Sequence, residues 1–348
     1  RMMNFGSALF AFLVSCVLTW GLRGYAIKHN VIDRPNQRSS HSVPTPRGGG
    51  VAIVLTLLVA LAVFYINRTL TLESFLGLFI PGIIVAIIGF LDDHGHIAAR
   101  WRLLMHFMAA AIGIYFLGSF PVITLLGYDL SLSWIGMILG CVYLVWMLNL
   151  YNFMDGINGL ASAEAITFAA CSAMLIVVNQ YTDAPGSIFP LTLALIGAAA
   201  GFIVWNFPKA KIFMGDAGSG FLGISIGLMI LHIAKANTHF FIAELCLLGI
   251  FIVDATTTLM RRLVAGKKVY EAHASHGYQI LARKYGSHVP VTMMAIVVNL
   301  LWLFPIAFLI ASAKIDGVVG LIIAWLPLLA VALKCGAGVK DKESNVNA

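Results

Sequence analysis

The hydrophobic positions of the chain fall into long apolar runs that are separated by short polar segments. A helix needs about 20 apolar residues to cross a bilayer, and about eleven runs approach that length. Their approximate ranges are 4–22, 51–66, 72–91, 103–119, 132–150, 160–178, 188–206, 219–235, 238–260, 291–313 and 316–334. The pattern predicts an all-α fold, a polytopic transmembrane helical bundle of about eleven helices, with residues 1–348 in a single integral membrane domain. No small-residue cleavage site follows the first run, so we expect it to remain as a helix.

The composition supports a membrane protein and excludes a soluble one. Hydrophobic residues make up 60% of the chain and charged residues only 11%, whereas a soluble domain has about 25% charged residues. The cysteines lie inside or at the end of apolar runs and form no CxxC pair: Cys16, Cys141, Cys171, Cys246 and Cys335. Neither a disulfide framework nor a zinc site is indicated.

The basic residues predict the orientation of the bundle. All but four of the 22 Lys and Arg residues lie in one set of loops, which the positive-inside rule assigns to the cytoplasm. The four exceptions are Arg1, Arg68, Lys235 and Lys314. We therefore expect the N-terminus outside, the C-terminus in the cytoplasm, and cytoplasmic loops near residues 23–50, 92–102, 149–160, 206–218 and 261–290. This topology accounts for most of the net charge of +7, so no nucleic-acid partner is implied.

The most polar segment between two apolar runs spans residues 149–161. Four polar residues recur in it at three-residue steps: Asn149, Asn152, Asp155 and Asn158. Unsatisfied polar groups in hydrocarbon cost several kcal/mol each, so these side chains must face water, a partner or a ligand. On a helix, three-residue steps drift by about 60° each. We expect part of the segment to be unwound, which Gly156 and Gly159 permit.

Two further loops place carboxylates beside predicted helix ends. Asp92 and Asp93 end a predicted helix, where the dipole disfavours negative charge, so a metal ion or the pair Arg100 and Arg102 should compensate them. Asp216 lies in a glycine-rich turn just before another helix. A carboxylate in such a turn suits a Mg²⁺ site that shares phosphate oxygens. Ser219 is the expected cap of that following helix.

Two more segments combine basic or imidazole groups with flexible backbone. The first loop carries Arg38, His41 and Arg47 among three prolines and three consecutive glycines, a mixture that suits phosphate binding by close backbone approach. A solvated loop whose arginines only set the topology is the alternative. His273 and His276 would share one helical face and could bind a metal or donate hydrogen bonds to phosphate; an amphipathic surface helix is the alternative there.

Asp254 lies inside a predicted span. An ionisable group in such a position is a functional candidate.

Together these segments resemble the polyprenyl-phosphate N-acetylaminosugar-1-phosphate transferase family, which includes the phospho-MurNAc-pentapeptide transferase of peptidoglycan synthesis. The matching segments occur in the family's order at residues 44–50, 92–93, 152–160, 214–219 and 254–262. The resemblance implies transfer of a sugar-1-phosphate from a UDP-N-acetylaminosugar to undecaprenyl (polyprenyl) phosphate, with release of UMP and with Mg²⁺, or Mn²⁺, as cofactor. It also implies the inner (cytoplasmic) membrane of a bacterium, an active site that faces the cytoplasm, and a lipid bilayer environment, with a second copy of the chain as a candidate partner.

The resemblance also implies roles for individual residues. Asp216 and Asp155 would hold the metal, and Asp92 and Asp93 would form the catalytic acid pair at the lipid-phosphate end. Asn152 and Asp155 would contact the nucleotide or the metal, so Asp155 is a candidate for substrate binding as well. The remaining candidates for substrate binding are Arg47, His41, Asn158, Asp254, His273 and His276. Either direct attack by the lipid phosphate or a covalent aspartyl-phosphate route would fit this set.

The chain departs from the family pattern at two places, of which the first removes a charge from the site and the second narrows the expected substrate. Asn158 stands where relatives usually have a second aspartate, and His273 and His276 are separated where relatives often have adjacent histidines. The spacing of the two histidines resembles that of the branch that initiates O-antigen chains. It therefore disfavours the peptidoglycan precursor as the substrate. The alternative function is a secondary transporter or flippase of lipid-linked or nucleotide sugars, which would place polar residues on both faces or carry large outward loops.

Overall fold

A computed structural model describes residues 3–35, 41, 43–95, 97–118, 120–182, 187–267 and 273–339. Arg38, a candidate for phosphate binding, lies outside these residues. So do Lys268, Lys340 and Lys342, which contribute to the predicted orientation.

Within the described ranges the chain forms fourteen α-helices. They are α1 (Met3–Lys28), α2 (Val51–Ile66), α3 (Leu72–His94), α4 (Ala99–Leu117), α5 (Ser133–Phe153), α6 (Leu160–Val178), α7 (Phe189–Asn206), α8 (Asp216–Ile233), α9 (Phe240–Leu247), α10 (Gly249–Val264), α11 (Gly277–Tyr285), α12 (Val289–Val298), α13 (Phe304–Ala311) and α14 (Gly317–Cys335). Two short antiparallel hairpins complete the fold. In the first, β1 (Ile32–Asp33) pairs with β2 (Thr45–Pro46), and in the second, β3 (Ile123–Leu125) pairs with β4 (Tyr128–Leu130).

Every predicted apolar run coincides with a helix or with a broken pair of helices. The run 238–260 forms α9 and α10, which are bent by 74° at their junction, and the run 291–313 contains a π-helical turn at Asn299–Leu303 between α12 and α13. Among the described helices, eight are long and apolar enough to cross a membrane, or nine when the bent pair counts as one span. The prediction of a polytopic helical membrane protein is confirmed. The number eleven and the orientation stay predictions.

Helix α8 is the centre of the bundle, and small residues let its neighbours approach closely. A Cβ placed on Gly223 of α8 would lie 2.7 Å from the Cα of Leu148 in α5. A Cβ on Gly89 of α3 would lie 2.5 Å from the backbone nitrogen of Ala217 at the start of α8. Small residues at helix interfaces are the usual means of close packing in membranes, and here they bring three helix ends together.

The predicted unwinding of the polar segment is confirmed. Helix α5 ends at Phe153 and α6 begins at Leu160. Residues 154–159 are non-helical, and Gly159 has φ +78°, a conformation that glycine adopts at little cost. This segment, the end of α3 and the start of α8 meet at one end of the bundle.

Candidate active site

Asp93, near the end of α3, caps the N-terminus of α8. Its Oδ1 accepts a hydrogen bond from the backbone N–H of Asp216 at 2.9 Å, and its Oδ2 accepts one from Ala217 at 3.2 Å. The Asp93 side chain is fully buried, and a carboxylate at this helix end satisfies free N–H groups and complements the dipole. The prediction that Ser219 caps α8 is wrong, because Ser219 lies in its first turn and its Oγ donates to the carbonyl of Gly215 at 3.1 Å.

Two arginines from different loops hold the carboxylates at this end. Arg47 Nε lies 2.8 Å from Asp93 Oδ1, and its Nη2 donates to Asp216 Oδ1 at 2.7 Å. Arg102 Nη1 pairs with Asp92 Oδ2 and lies 3.6 Å from Asp216 Oδ2. We call Arg47, Asp92, Asp93, Arg102 and Asp216 the acid–arginine cluster. Arg102 thus compensates the negative charge of Asp92, as the sequence predicts.

The charges of this cluster shift the pKa of Arg47. Burial alone would lower its pKa, but Asp216, Asp93 and Asp33 raise the pKa above its ordinary value. Arg47 therefore stays charged. Arg100, the other cation expected near Asp92, instead lies over the ring of Trp101, with its guanidinium carbon 5.6 Å from the ring centroid.

The glycine-rich loop positions Arg47 by pairing with the segment before α8. The N–H of Gly49 donates to Phe213 at 2.9 Å, and that of Gly50 donates to Met214 at 2.8 Å. A Cβ on Gly50 would lie 2.5 Å from the Cα of Gly218. These glycines were expected to let the backbone approach a ligand. In the structure they let it approach the start of α8.

The unwound segment adds an amide and a carboxylate. Asn152 Nδ2 donates to Asp216 Oδ1 at 3.2 Å and to Ser219 Oγ at 2.9 Å. The Asp155 carboxylate accepts no hydrogen bond and forms no ion pair in the described part of the chain. Burial raises the pKa of Asp155 well above its ordinary value, and the neighbouring charge of Asp216 adds to this, while Arg47 opposes it. An additional cation would relieve this repulsion.

The oxygen donors at this place fit a divalent cation that is shared with a substrate. Among the described residues, no group of three or more His, Cys, Asp or Glu side chains is arranged as a complete metal site. Mg²⁺ is usually held by one or two carboxylates together with substrate phosphates. Asp155 and Asp216 are two such carboxylates, and the Asp155 carboxylate accepts no hydrogen bond among the described residues. The pair therefore fits Mg²⁺ bound in this shared way.

A cavity of about 50 Å³ adjoins the cluster. Its polar lining includes Asp92, Arg102, His106, Asn149, Asn152 and Asp216. His106 of α4 was missed in the sequence interpretation, although it lies four residues after Arg102 and so shares that residue's helix face. Its buried Nδ1 has no hydrogen-bond partner among the described residues.

Asp254 forms a second group with the histidines, and its carboxylate caps α11. Its two oxygens accept hydrogen bonds from the N–H groups of Gly277 at 2.9 Å and Tyr278 at 2.8 Å. His273 and His276 precede α11, so they do not form the shared face that a helix at this place would have given. Their rings nevertheless stack with centroids 4.9 Å apart, and His276 Nδ1 lies 3.5 Å from Asp254 Oδ1.

His41 and Asn158 lie in a neighbouring cleft of about 890 Å³. We call it the basic cleft, because its lining includes Lys209 and Lys211. The His41 ring packs edge-on against Phe213 with centroids 4.7 Å apart, and Asn158 Nδ2 donates to the carbonyl of Pro208 at 3.1 Å. No described hydrogen bond or ion pair joins either residue to the acid–arginine cluster.

The predicted site residues thus fall into three neighbouring groups. The first is the acid–arginine cluster with Asn152 and Asp155, the second is Asp254 with His273 and His276, and the third is His41 with Asn158. The cleft and the cluster are joined by the segment from Phe213 to Asp216. The second group reaches the unwound segment through Tyr278, whose hydroxyl donates to the carbonyl of Phe153 at 2.8 Å.

Comparison with known proteins gives one family. Glycosyl transferase family 4 matches residues 75–234. A probable undecaprenyl-phosphate N-acetylglucosaminyl 1-phosphate transferase of Bacillus subtilis is 30% identical over 277 residues, which is 76% of this chain and 75% of the relative. An undecaprenyl-phosphate alpha-N-acetylglucosaminyl 1-phosphate transferase of Thermotoga maritima is 27% identical over 279 residues, covering 79% and 80%. A phospho-N-acetylmuramoyl-pentapeptide-transferase of Streptococcus pyogenes is 32% identical over 233 residues, covering 62% and 66%.

Proposed function

The chain belongs to glycosyl transferase family 4, and from this premise we propose that it transfers an N-acetylaminosugar-1-phosphate from a UDP-sugar to undecaprenyl phosphate, releasing UMP. The observation that carries the proposal is the position of Asp216, between Arg47, Arg102 and Asn152 and near Asp155, at the end of the bundle. The two arginines can neutralise the phosphates of two substrates that meet at this place, and the carboxylate oxygens can bind a metal ion that is shared with them.

We further propose that this reaction initiates O-antigen or another cell-envelope polysaccharide at the bacterial inner membrane. The two residues between His273 and His276, where relatives often have adjacent histidines, support this branch over the peptidoglycan branch. The excess of Lys and Arg in one set of loops supports a site that faces the cytoplasm.

The acid–arginine cluster supplies the charges for the transfer. In our proposal, Arg47 and Arg102 bind phosphate oxygens, and Asp216 and Asp155 would hold Mg²⁺ or Mn²⁺. When bound, the metal ion supplies charge neutralisation and polarisation of the diphosphate. An oxygen of the lipid phosphate attacks the β-phosphorus, a new P–O bond forms, and the bond from that phosphorus to the bridging oxygen breaks as UMP leaves.

The two adjacent aspartates are suited to different parts of this reaction. Asp93 is fully buried and already bonds two N–H groups and Arg47, so it is poorly placed to act as a nucleophile or base. Asp92 lines the cavity beside Asp216. We therefore assign to Asp92 the role of orienting the lipid phosphate and accepting its proton, by direct attack and without a covalent enzyme intermediate.

The neighbouring cavities suit the remaining parts of the substrates. The basic cleft offers Lys209 and Lys211 for phosphate oxygens and Phe213 and Asn158 for the nucleotide or the sugar. A second cavity of about 250 Å³, with a largely apolar lining from α10, α11, α12 and α14, begins at Asp254. Its apolar walls suit an isoprenoid chain.

The test is a UMP-release assay on membranes that contain the protein and added undecaprenyl phosphate. With a panel of UDP-N-acetylaminosugars, at least one should give UMP together with a lipid-linked sugar, and EDTA should stop both. Asp216→Asn should lose nearly all activity. Asp129→Asn is the matched control, because Asp129 lies on the β3–β4 hairpin, where it accepts a hydrogen bond from Thr124.

Three outcomes would contradict parts of the proposal. No UMP with any donor sugar would favour a transporter or a flippase. Full activity of Asp216→Asn would remove this residue from the metal site. Labelled phosphate trapped on the protein in the absence of the lipid acceptor would replace direct attack by the aspartyl-phosphate route.

A further inference from the structure

A polar pair is buried where α6 meets the π-helical turn that follows α12. Glu164 lies one turn into α6 and is 1% exposed, and Asn299, the first residue of the π-helical turn, is 3% exposed. Asn299 Nδ2 donates to Glu164 Oε2 at 2.7 Å and to Thr167 Oγ1 at 2.8 Å. These two bonds use both N–H donors of the Asn299 amide.

Two oxygens of this pair accept no hydrogen bond. Glu164 Oε1 and Asn299 Oδ1 are buried and have no partner among the described residues. Glu164 also forms no ion pair in the described part of the chain. An ionised carboxylate in apolar surroundings, with no cation beside it, takes up a proton instead. A protonated carboxyl group has one O–H donor, and one donor between the two oxygens would satisfy both.

We propose that Glu164 is a neutral carboxylic acid that forms a ring of two hydrogen bonds with the Asn299 amide, and that both are positioning residues for the unwound segment before α6. In this acid–amide ring, the Glu164 hydroxyl donates to Asn299 Oδ1 while Asn299 Nδ2 donates to Glu164 Oε2. Such pairing counts for more in a low-dielectric interior than in water. The positioning role rests on the proposed function, whereas the protonation of Glu164 does not.

The same side of α12 holds the end of the unwound segment. Thr292 Oγ1 donates to the carbonyl of Asn158 at 2.9 Å, and the N–H of Asn158 donates to His288 Nδ1 at 3.3 Å. Thr292 and Asn299 are seven residues apart, so they lie on one side of the helix. Asn158 follows Asp155 by three residues, and these contacts therefore restrain the segment that carries Asp155. The acid–amide ring fixes α6 against the same side of α12, one turn after this segment ends.

Infrared spectroscopy reads the protonation of Glu164 directly. The C=O band of a neutral carboxylic acid is separate from the bands of a carboxylate. The difference spectrum between the native protein and Glu164→Gln, both full-length and in detergent at neutral pH, should therefore contain a carboxylic-acid band. Glu244→Gln is the matched control, because Glu244 is equally buried in the bundle and its Oε1 accepts a hydrogen bond from Ser172 Oγ at 2.8 Å. The band of Glu164 should persist in that variant.

Hydrogen exchange of residues 154–163, read by mass spectrometry, measures how firmly the unwound segment is held. Glu164→Gln should exchange and turn over like the native protein, because the glutamine amide can donate to Asn299 Oδ1 and accept from Asn299 Nδ2. Glu164→Met has a similar size but cannot form the ring. It should speed this exchange and slow UMP release by about 3- to 10-fold each, the range expected for one lost hydrogen bond. Glu244→Met is the matched control and should leave the exchange of residues 154–163 unchanged.

The outcomes separate this inference from the proposed function. The absence of a carboxylic-acid band for Glu164 would overturn the neutral acid, and a Na⁺-dependent unfolding midpoint would then identify a bound sodium ion instead. Equal damage from Glu164→Gln and Glu164→Met would overturn the acid–amide ring. A native exchange rate in Glu164→Met would overturn the positioning role. If no UDP-N-acetylaminosugar reacts, the proposed function fails, while the infrared and exchange measurements still decide whether the ring forms and holds the segment.

Discussion

Replacing Asp93 by Asn should destabilise the protein, whereas replacing the adjacent Asp92 by Asn should stop turnover with little effect on stability. The difference follows from their surroundings. Asp93 has a fully buried side chain and caps α8 with both oxygens. Asp92 lines the cavity beside the cluster and pairs with Arg102, whose side chain is 35% exposed.

The expected size of each effect can be worked from these contacts. In Asp93→Asn one oxygen becomes an NH₂ group that faces a helix N–H, so much of a cap worth about 0.5–2 kcal/mol is lost. Arg47 also loses a buried partner, which costs about 3–5 kcal/mol when nothing replaces it, but Asp216 remains and Arg47 is 33% exposed. We expect a total loss of about 2–4 kcal/mol for Asp93→Asn. For Asp92→Asn the expected loss is about 1 kcal/mol. The Asp92 side chain is only 9% exposed, but asparagine keeps an oxygen for the Ile97 N–H that Asp92 binds at 2.9 Å, and the Arg102 that it pairs with is 35% exposed, so solvent screens the lost charge.

Thermal unfolding in detergent, followed with a thiol-reactive dye, measures these differences. The structure contains five free cysteines that are buried or half-buried, so the dye reports their exposure as the bundle opens. Asp316→Asn is the matched control, since Asp316 caps α14 by accepting from Val318 N–H at 2.8 Å and lies outside the site. It should lower the midpoint modestly and keep full UMP release.

Two results would refute the reasoning. Equal midpoints for Asp92→Asn and Asp93→Asn would show that the cap contributes no distinct stability. An unchanged midpoint with no turnover in Asp93→Asn would assign the chemistry to Asp93 and make Asp92 the accessory residue.

Three further predictions follow from the same geometry. Asp155→Asn should raise the unfolding midpoint without Mg²⁺, since it removes a carboxyl group whose charged form is disfavoured by burial and by the charge of Asp216, and should abolish the rise that Mg²⁺ gives the native protein; a midpoint that still rises with Mg²⁺ would exclude Asp155 as a ligand. Lys209→Ala and Lys211→Ala should each weaken UDP-sugar binding up to about fivefold at low salt and less at high salt, and a salt-independent effect would argue against a phosphate contact. Gly156→Ala should cut turnover at least about tenfold and destabilise by about 1–3 kcal/mol, because its Cβ would lie 2.1 Å from Tyr278 Oη; normal kinetics would mean that the unwound segment adapts freely.

The helices and the polar segment could be predicted from the sequence because the signals for both are local. The length of each apolar run indicates where a helix lies. A polar run with two glycines between two apolar runs does not favour a continuous helix in contact with lipid. The prediction of Mg²⁺ stays a prediction. The charges of Asp216 and Arg47 act on the pKa of Asp155, and Asp216 pairs with Arg47, but the assignment of Asp155 and Asp216 as metal ligands also stays a prediction.

The roles of the histidines could not be predicted from their spacing. His273 and His276 suggested one helical face, but α11 begins at Gly277 because Asp254 caps it there. That cap comes from a helix about twenty residues earlier, and nothing in the local sequence indicates it. The pair of Glu164 and Asn299 is likewise visible only once α6 and the π-helical turn after α12 are packed together.

The different roles of Asp92 and Asp93 could have been found from one overlooked signal. Successive residues on a helix point about 100° apart, so the two carboxylates face different neighbours. Gly89 lies four residues before Asp93 and therefore shares its face, and it is the glycine that touches the start of α8. Ile88 lies four residues before Asp92 and therefore shares its face; the cavity beside Asp92 is lined by Ile88 and by the edge of Gly89.

Two buried acids of the site have the same structural task, and this limits where substrate phosphates can bind. Asp93 occupies the N-terminus of α8, and Asp254 occupies that of α11. A free helix N-terminus is a ready anion site, but here protein carboxylates already take those N–H groups. Substrate phosphates must therefore find their positive charge elsewhere. In our proposal Arg47 and Arg102 supply this charge, together with Lys209 and Lys211 of the basic cleft and a cation on Asp155 and Asp216.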